Sequence, residues 1–275
     1  MSRHSRNAPT FMLILLFAAG AADTLAAQES GRPRAGPATD EPFTTSHVEP
    51  STQGFARTIP CQSLNDDSPY PLGYEMTLDL AIQAAHVGRA EPEKDDRKCF
   101  FRMAEALARH LVLENPNDPE PRYWYAAAMG LRAVEEGGHN QVRLAQRAHE
   151  QSRLVLTIAP DHAGAHHILG RLHAGAMRLS GFKRFIATQI LGGKALSGAS
   201  WETAESFLAA AARLQPEVPD HHYELGLLYL DMGRPDLALA AFEGVLACSR
   251  KDPADRAVQA SAGEKADRLR RELAG

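Results

Sequence analysis

From about residue 70 onward, the hydrophobic positions of the chain follow the period of an α-helix. Apolar residues recur three and four positions apart, and no stretch shows the alternation of a half-buried strand. Four helical runs end in similar polar stretches, which read LENPNDPEP, TIAPDHAG, RLQPEVPD and CSRKDPAD. The pattern therefore predicts an all-α domain over residues 69–275.

A proline in each of these four stretches marks a repeating unit. Successive prolines are 44, 56 and 37 residues apart, and they are Pro116, Pro160, Pro216 and Pro253. Proline suits these places because it cannot continue the preceding helix, while a neighbouring carboxylate can cap the next one. We expect the caps to be Asp118, Asp161 and Asp220.

The last unit, YELGLLYLDMGRPDLALAAFEGVL, carries a repeat signature. Leu225, Gly226 and Tyr229 fit the L-G-x2-Y part of the tetratricopeptide pattern, and Ala238 and Phe242 fit its A-x3-F part. Small residues at these places let the two helices of a hairpin approach closely, and each hairpin then buries its apolar side on the next. These residues predict a solenoid of tetratricopeptide-type helix hairpins.

The preceding unit has the same signature, interrupted by an insertion. Leu169 and Gly170 are followed by His173 in the aromatic position, and Ala204 then lies 34 residues beyond Gly170, where the last unit needs only 12 residues. The insertion is therefore about 22 residues long. An apolar stripe predicts that it contains a helix, formed by Phe182, Phe185, Ile186 and Ile190. This inserted helix packs on the solenoid or, alternatively, contacts a membrane surface or a partner.

A second apolar stripe lies at the C-terminus, where arginines flank it on the polar side. The stripe consists of Val258, Ala262, Leu269 and Leu273. A solenoid needs a terminal element with a polar outer face, so we expect a C-terminal capping helix here.

The order of these segments resembles the regulator of microtubule dynamics family of tetratricopeptide proteins. The resemblance covers roughly Arg122 to Leu273, as judged from the order of repeat motifs, and its most distinctive part is Arg184 to Ala187, within the insertion. It implies a tetratricopeptide fold without established catalytic residues. Eukaryotic members are associated with microtubules and intracellular membranes. This chain differs in having the features of an export signal, described below, which would separate it from microtubules. We therefore expect it to share the fold of the family but not the cytoskeletal role.

The resemblance also implies a binding groove, because the first helix of each hairpin lines the concave face in tetratricopeptide proteins. The matching positions are Tyr123, Ala127, His167, Arg171, Tyr223, Leu227 and Asp231. Helical spacing makes them one stripe per helix, and aromatic and arginine side chains are frequent binding hot spots. The lysine and asparagine clamp of chaperone-binding members is missing, which disfavours recognition of a C-terminal carboxylate. Alternatively, these residues pack against the inserted helix.

The N-terminus has the layout of a secretory signal peptide. Arg3 and Arg6 precede an apolar run from Phe11 to Ala22, and small residues follow the run. The run is too short to cross ~30 Å of hydrocarbon. We therefore expect a signal peptide over residues 1–27, a periplasmic or secreted location, and a polar linker over residues 28–68 that cannot bury enough surface to fold alone.

Composition and cysteine content narrow the class of protein further. The chain has 275 residues, 44% of them hydrophobic, and a formal net charge of -4, which argues against a nucleic-acid binder. Its cysteines are Cys61, Cys99 and Cys248, and the absence of a CxxC pair argues against a zinc ribbon. A bridge between Cys61 and Cys99 would tie the linker to the first helices, but unpaired cysteines are the favoured interpretation.

Four of the twelve histidines fall within residues 161–173 and suggest a metal site. His162, His166 and His173 share one side of a helix, since separations of four and seven residues return to nearly the same angle. However, His173 lies about 10 Å beyond His166 along the axis, so the three side chains cannot easily converge on one ion. His173 occupies the aromatic position and His166 matches His222 of the next unit, which favours repeat architecture over zinc binding.

Together these features favour an exported, non-catalytic scaffold that binds a protein or peptide in its concave groove and needs no cofactor. One alternative is an envelope protein that binds a metal or small ligand through the histidine-rich helix. The other is a microtubule- or membrane-associated regulator, which applies if the apolar N-terminus is retained. No hydrolase or metalloprotease motif was found; for example, Arg153 stands where the second histidine of H-E-x-x-H would lie.

The signal-peptide interpretation predicts that the mature protein begins at Ala27 or Gln28. Mass spectrometry of the N-terminal peptide from the native source measures this directly. A native chain that still carries Phe11 to Ala22 would contradict the exported location.

Overall fold

The described part of the chain is almost entirely α-helical. The computed structural model describes residues 73–179, 198–249 and 253–274, and no strand occurs within these ranges. The nine helices in them are α1 (Tyr74–Ala90), α2 (Lys94–Glu114), α3 (Pro119–Glu135), α4 (Gly138–Ile158), α5 (Ala163–Arg178), α6 (Trp201–Leu214), α7 (Pro219–Asp231), α8 (Pro235–Ala247) and α9 (Pro253–Ala274). The prediction of an all-α fold is confirmed.

The helices pair in chain order as hairpins and stack into a solenoid. The hairpins are α1–α2, α3–α4, α5–α6 and α7–α8, and each packs on the next through its second helix. The first helices also contact one another directly, α1 with α3, α3 with α5 and α5 with α7, whereas the second helices of the described residues make no comparable contacts. The first helices therefore form the inner layer of a curved stack, as the repeat pattern predicted.

Three turns that join successive hairpins share one backbone geometry. The residue before the proline has φ of -134°, -130° and -134° and ψ of 86°, 86° and 74° in the three turns. Proline excludes its predecessor from the α region, so each helix must end there. The N–H of that residue still bonds the carbonyl four residues back. The three residues are Asn115, Ala159 and Gln215.

A side chain in the following helix secures each of these turns. It donates to the proline carbonyl from six residues further along the chain. The donors are Arg122 Nη2, His166 Nε2 and His222 Nε2, and they bond Pro116, Pro160 and Pro216 respectively. The donors repeat at the same intervals as the prolines, which confirms the repeating units and the equivalence of His166 and His222.

The predicted caps are right for α3 and wrong for α5. The carboxylate of Asp118 accepts the N–H of Glu120 at 3.1 Å, as expected of a helix cap. In α5 the cap is His162 and not Asp161, because the helix begins one residue later than predicted. Its Nδ1 accepts the N–H of Ala165 at 3.2 Å.

The predicted cap of α7 is also wrong. This helix begins at Pro219, and its N-cap, Val218, makes no side-chain capping bond. Proline has no N–H to satisfy at the first helical position, so a side-chain cap is less needed there. Asp220 lies in the first turn instead and forms an ion pair with Arg89 of α1.

Two glycines hold the helices of their hairpins in close contact. A Cβ atom on Gly226 would lie 2.6 Å from the ring of Phe242, and one on Gly170 would lie 2.5 Å from Leu208. The first pair is 16 residues apart and the second 38. Because the pairs are equivalent, the difference of 22 residues reproduces the predicted length of the insertion.

The C-terminal helix closes the stack as a cap. Ala262 and Leu269 of α9 are buried against the last hairpin, and Val258 packs partly on the same cluster. Leu273, which was predicted to share this face, is 43% exposed because the helix extends past its neighbours. Helix α9 also touches α1, so the last described helix meets the first.

Several sequence predictions fall on residues that the structure does not describe. They concern the signal peptide, the linker and the inserted helix with its stripe from Phe182 to Ile190, all of which lie outside the described ranges. Within those ranges, none of the helices is both long enough and apolar enough to cross a bilayer.

The cysteines differ from the favoured interpretation. Cys99, at the start of α2, is disulfide-bonded, whereas the thiol of Cys248 donates to the carbonyl of Gly244. The interpretation that leaves the cysteines unpaired is therefore wrong for Cys99. Its proposed partner, Cys61, lies outside the described residues.

The close helix contact predicts opposite effects for two glycine substitutions. Gly226→Ala should lower the free energy of unfolding by about 1–3 kcal/mol, because the new methyl group overlaps the fully buried ring of Phe242. Gly130→Ala, in α3, should raise it by about 0.5–1 kcal/mol, since no atom lies within 4 Å of the new Cβ and alanine favours the helix. Urea unfolding measures both values. Equal values for the two variants would contradict the assigned helix contact.

Candidate binding surface on the inner helices

The structure places all seven predicted groove residues on the inner layer. They lie on α3, α5 and α7, the first helices of three successive hairpins. Their exposure differs: Asp231 is exposed, Tyr223 is buried, and the rest are half-buried. The rest are Tyr123, Ala127, His167, Arg171 and Leu227.

Tyr223 is a packing residue rather than part of an open surface. Its side chain is 7% exposed, and its ring packs on Phe242 of α8 with centroids 5.8 Å apart. Its hydroxyl shares a hydrogen bond of 2.8 Å with Ser261 of α9. The sequence could not reveal this because both α8 and α9 pack on α7, and spacing by four within α7 does not indicate a second neighbouring helix. Leu227 packs partly against the same cluster.

A row of polar pairs joins α5 to α7 along the inner layer, and we call it the α5–α7 ladder. It consists of His167–His221, Arg171–Glu224 and Arg178–Asp231. The two histidine Nδ1 atoms are 3.0 Å apart, and the two ion pairs measure 3.0 Å and 2.7 Å. Both charged groove residues, Arg171 and Asp231, are therefore already paired within the chain. A partner must compete with these pairs or bind beside them.

The histidine pair of the ladder is held in the neutral form. Burial, together with the neighbouring His221 and Arg171, holds the pKa of His167 well below its usual range. Burial likewise lowers the pKa of His221 to about 4. At neutral pH both rings are therefore uncharged, and one Nδ1–H donates to the other Nδ1. A buried pair of this kind joins the helices without the cost of burying a charge.

Asp220 and Arg89 extend this polar region to the first helix. Arg89 Nη2 of α1 donates to Asp220 Oδ2 at 2.8 Å, and both side chains are about one-third exposed. Burial raises the pKa of the Asp220 carboxyl, but the opposing effect of its charged surroundings, Arg89 foremost, leaves the net pKa lowered. The carboxylate is therefore charged at neutral pH and anchors α7 to α1. No sequence pattern signals a pair whose members are 131 residues apart.

Aromatic residues of α3 line the adjacent part of the inner layer. Tyr123 lies over Gly164, where a Cβ atom would come within 2.4 Å of the ring, and burial raises its pKa to about 12. Trp124 is half-buried, donates its indole N–H to Glu120 at 2.9 Å, and lies 5.7 Å from the ring of the exposed His86 on α1. Tyr123 is thus mainly a packing residue, whereas Trp124 and His86 present aromatic surface. Neither Glu120 nor His86 was predicted from the sequence.

The three histidines that suggested a metal site differ in their polar contacts, although His166 and His173 both lie near the ring of Phe207. His162 caps α5 and lies 3.5 Å from Glu120 of α3, while His166 bonds the turn carbonyl described above. His173 packs on Phe207 of α6 and lies 5.5 Å from the ring of His149 on α4. Their surroundings differ because they lie at different heights along the helix axis, although they share one side of the helix. Among the described residues, no group of three or more His, Cys, Asp or Glu side chains could hold a metal ion.

These features define a helical-hairpin solenoid of the tetratricopeptide type, a class of fold that generally serves protein binding and is typically non-catalytic. The sequence profile of the family described as "Regulator of microtubule dynamics protein 1-3" matches residues 60–270. The chain therefore belongs to this family. The match begins well before Arg122, where the resemblance inferred from the repeat motifs begins.

The chain was also compared with solved structures and with curated proteins. The crystal structure of TTC0263, a thermophilic TPR protein in Thermus thermophilus, is 22% identical in sequence, with a TM-score of 0.48. The similarity covers 72% of this chain and 88% of that chain. The search of curated proteins found no match.

The different polar contacts of the histidines predict weak zinc binding. Titration calorimetry of the folded protein with ZnCl2 should detect no sub-micromolar site, because three converging ligands are needed for a tight one. His166→Ala provides the comparison, since it removes the central member of the predicted set. A sub-micromolar site in the parent chain that disappears in this variant would favour the metal-binding alternative.

Proposed function

We propose that this protein is an exported scaffold that binds a segment of a partner protein along its inner layer. The observation that carries the proposal is the exposure pattern of the first helices. Tyr123, Trp124, His167 and Arg171 remain half-buried on this layer and Asp231 is exposed, whereas most alanines and glycines of the same helices are buried. Solenoids use such concave surfaces to bind extended partners.

The chemistry of this layer favours a protein segment over a small polar ligand. Trp124 and His86 offer aromatic surface beside Ala127, which leaves room for an incoming side chain. Arg171 is 38% exposed, so it can bond a partner while it keeps its pair with Glu224. Aromatic and arginine side chains of this kind dominate binding energy at protein interfaces.

The proposed export rests on two independent features of the chain. One is the N-terminal arrangement of Arg3, Arg6 and the apolar run that follows them. The other is the disulfide of Cys99, because such bonds persist in oxidising compartments such as the periplasm or the extracellular space. Both features favour a periplasmic or secreted scaffold.

Membership of this family suggests one alternative function. The name of the matching family refers to microtubule dynamics. A role of that kind, or contact with a membrane through the inserted segment, would require the apolar N-terminus to be retained and the chain to stay inside the cell. Identification of the native N-terminus separates this alternative from the exported scaffold.

A binding test needs a substitution that blocks the inner layer without emptying the core. Tyr223→Ala is unsuitable because the ring is buried. Ala127→Glu adds bulk and charge to a half-buried position of α3 and removes no packing atoms. Leu113→Glu is the matched control, since it adds the same group to a residue of α2 that is 68% exposed.

We predict that Ala127→Glu reduces partner capture at least about tenfold, because loss of a central hot-spot contact costs about 2 kcal/mol or more. The mature chain serves as bait in envelope extract, and mass spectrometry quantifies each captured protein. The control variant Leu113→Glu should capture the same partner as the parent chain. Equal loss in both variants, or full capture by Ala127→Glu with unchanged helicity, would place the binding surface elsewhere.

A further inference from the structure

The first and fourth hairpins are joined directly, although two hairpins separate them in the sequence. Arg89 lies in the last turn of α1, and Asp220 lies in the first turn of α7. Their hydrogen bond of 2.8 Å draws the start of α7 onto the end of α1. Each charge also suits its helix end, since a cation favours the C-terminus of a helix and an anion the N-terminus.

The histidine pair lies beside this ion pair. His221 follows Asp220 in α7, and its Nδ1 is 3.0 Å from Nδ1 of His167 on α5. A hydrogen bond between two imidazole nitrogens needs one donor and one acceptor, so it cannot form when both rings are protonated. The start of α7 is therefore held by two polar contacts, one to α1 and one to α5.

Charged groups from α1, α5 and α7 surround the histidine pair. Arg89 comes from α1 and Arg171 from α5, while Asp220 and Glu224 come from α7. The phenol of Tyr123, on α3, faces the same carboxylate and is neutral. His221 also lies near Gln215 and the charged or titratable groups Glu217 and His222 of its own segment.

The charges of the central residues balance only while the histidines are neutral. Two arginines then face two carboxylates, and each arginine has its own carboxylate partner. Protonation of both rings would place two further cations between Arg89 and Arg171. It would also put positive charge at the N-terminus of α7, where the helix dipole disfavours it.

We propose that Arg89, Asp220, His167 and His221 form a proton-sensitive clasp, which holds the start of α7 on α1 and α5 while both imidazoles are neutral and releases it when they are protonated. Release separates the inner faces of the first and last hairpins. The clasp thus regulates access to the inner layer, and to that extent it rests on the proposed binding function. Opening itself requires no partner and is measured without one.

The pH range of release follows from linkage between protonation and opening. His221 has a pKa of about 4 in the closed state, and an exposed imidazole has one of about 6.5. The contribution of the clasp to stability is therefore complete above pH ~6.5 and is lost as the pH falls towards 4. For His221 alone, the opening equilibrium should increase about 25-fold between pH 7.5 and pH 5.

Hydrogen–deuterium exchange of the full chain provides the test. We expect the peptides over residues 84–90 and 219–225 to exchange about 25-fold faster at pH 5 than at pH 7.5, after correction for the intrinsic rate. The peptide over residues 125–133, in the core of α3, should keep its protection. Arg89→Met should open the clasp already at pH 7.5, whereas Arg270→Met, which breaks an ion pair between α8 and α9, should not.

The histidine variants determine whether protons act at this pair. His221→Gln keeps a polar side chain that cannot be protonated, so most of the pH response should disappear in this variant. If circular dichroism shows that His221→Gln is unfolded, His167→Gln is used as the test variant instead. The proposal is overturned if the two peptides do not respond to pH. It is also overturned if all peptides lose protection together, or if the folded glutamine variant responds like the parent chain. None of these outcomes depends on partner capture.

Discussion

Each hairpin junction depends on the steric exclusion of the residue before proline from the helical region. Asn115, Ala159 and Gln215 adopt nearly the same dihedral angles because the next residue is proline in all three cases. This fixes where one hairpin stops and at what angle the next begins. The turn carbonyl then receives a donor from the following helix, so that buried or half-buried polar groups are satisfied. Glycines and small residues determine only how closely the helices approach once the turns have set their direction.

The inner layer combines this regular framework with irregular polar pairs. The repeat requires that the first helices face one another, but it does not require that their facing side chains be apolar. His167 and His221 meet as neutral rings, while Arg171 and Glu224 meet as ions with partial exposure. Buried neutral pairs avoid the desolvation cost of ions, and half-exposed ion pairs are screened by solvent. The layer is therefore specific in register without a large electrostatic contribution to stability.

The sequence predicted those parts of the structure that depend on local constraints. The junction prolines, the cap at Asp118, the glycine contacts and the length of the insertion are all determined within one hairpin. Predictions failed where a second element competes for the same residue. Asp220 was assigned to a cap, but Arg89 of a distant helix binds it. Tyr223 was assigned to a surface, but α8 and α9 cover it. The α5–α7 ladder was not predicted, because the pairing of side chains between two helices depends on how the helices are rotated relative to each other. The periodicity within one helix does not define that rotation.

The contact between α9 and α1 has a consequence for how the domain unfolds. In an open solenoid each repeat touches only its neighbours, so stability is nearly a sum of local terms and the ends can fray independently. Here the first and last helices of the described residues contact each other. Loss of any single hairpin would also disrupt that contact, because the ends could no longer meet. We therefore expect the two ends to protect each other from fraying, which repeats in an open row cannot do.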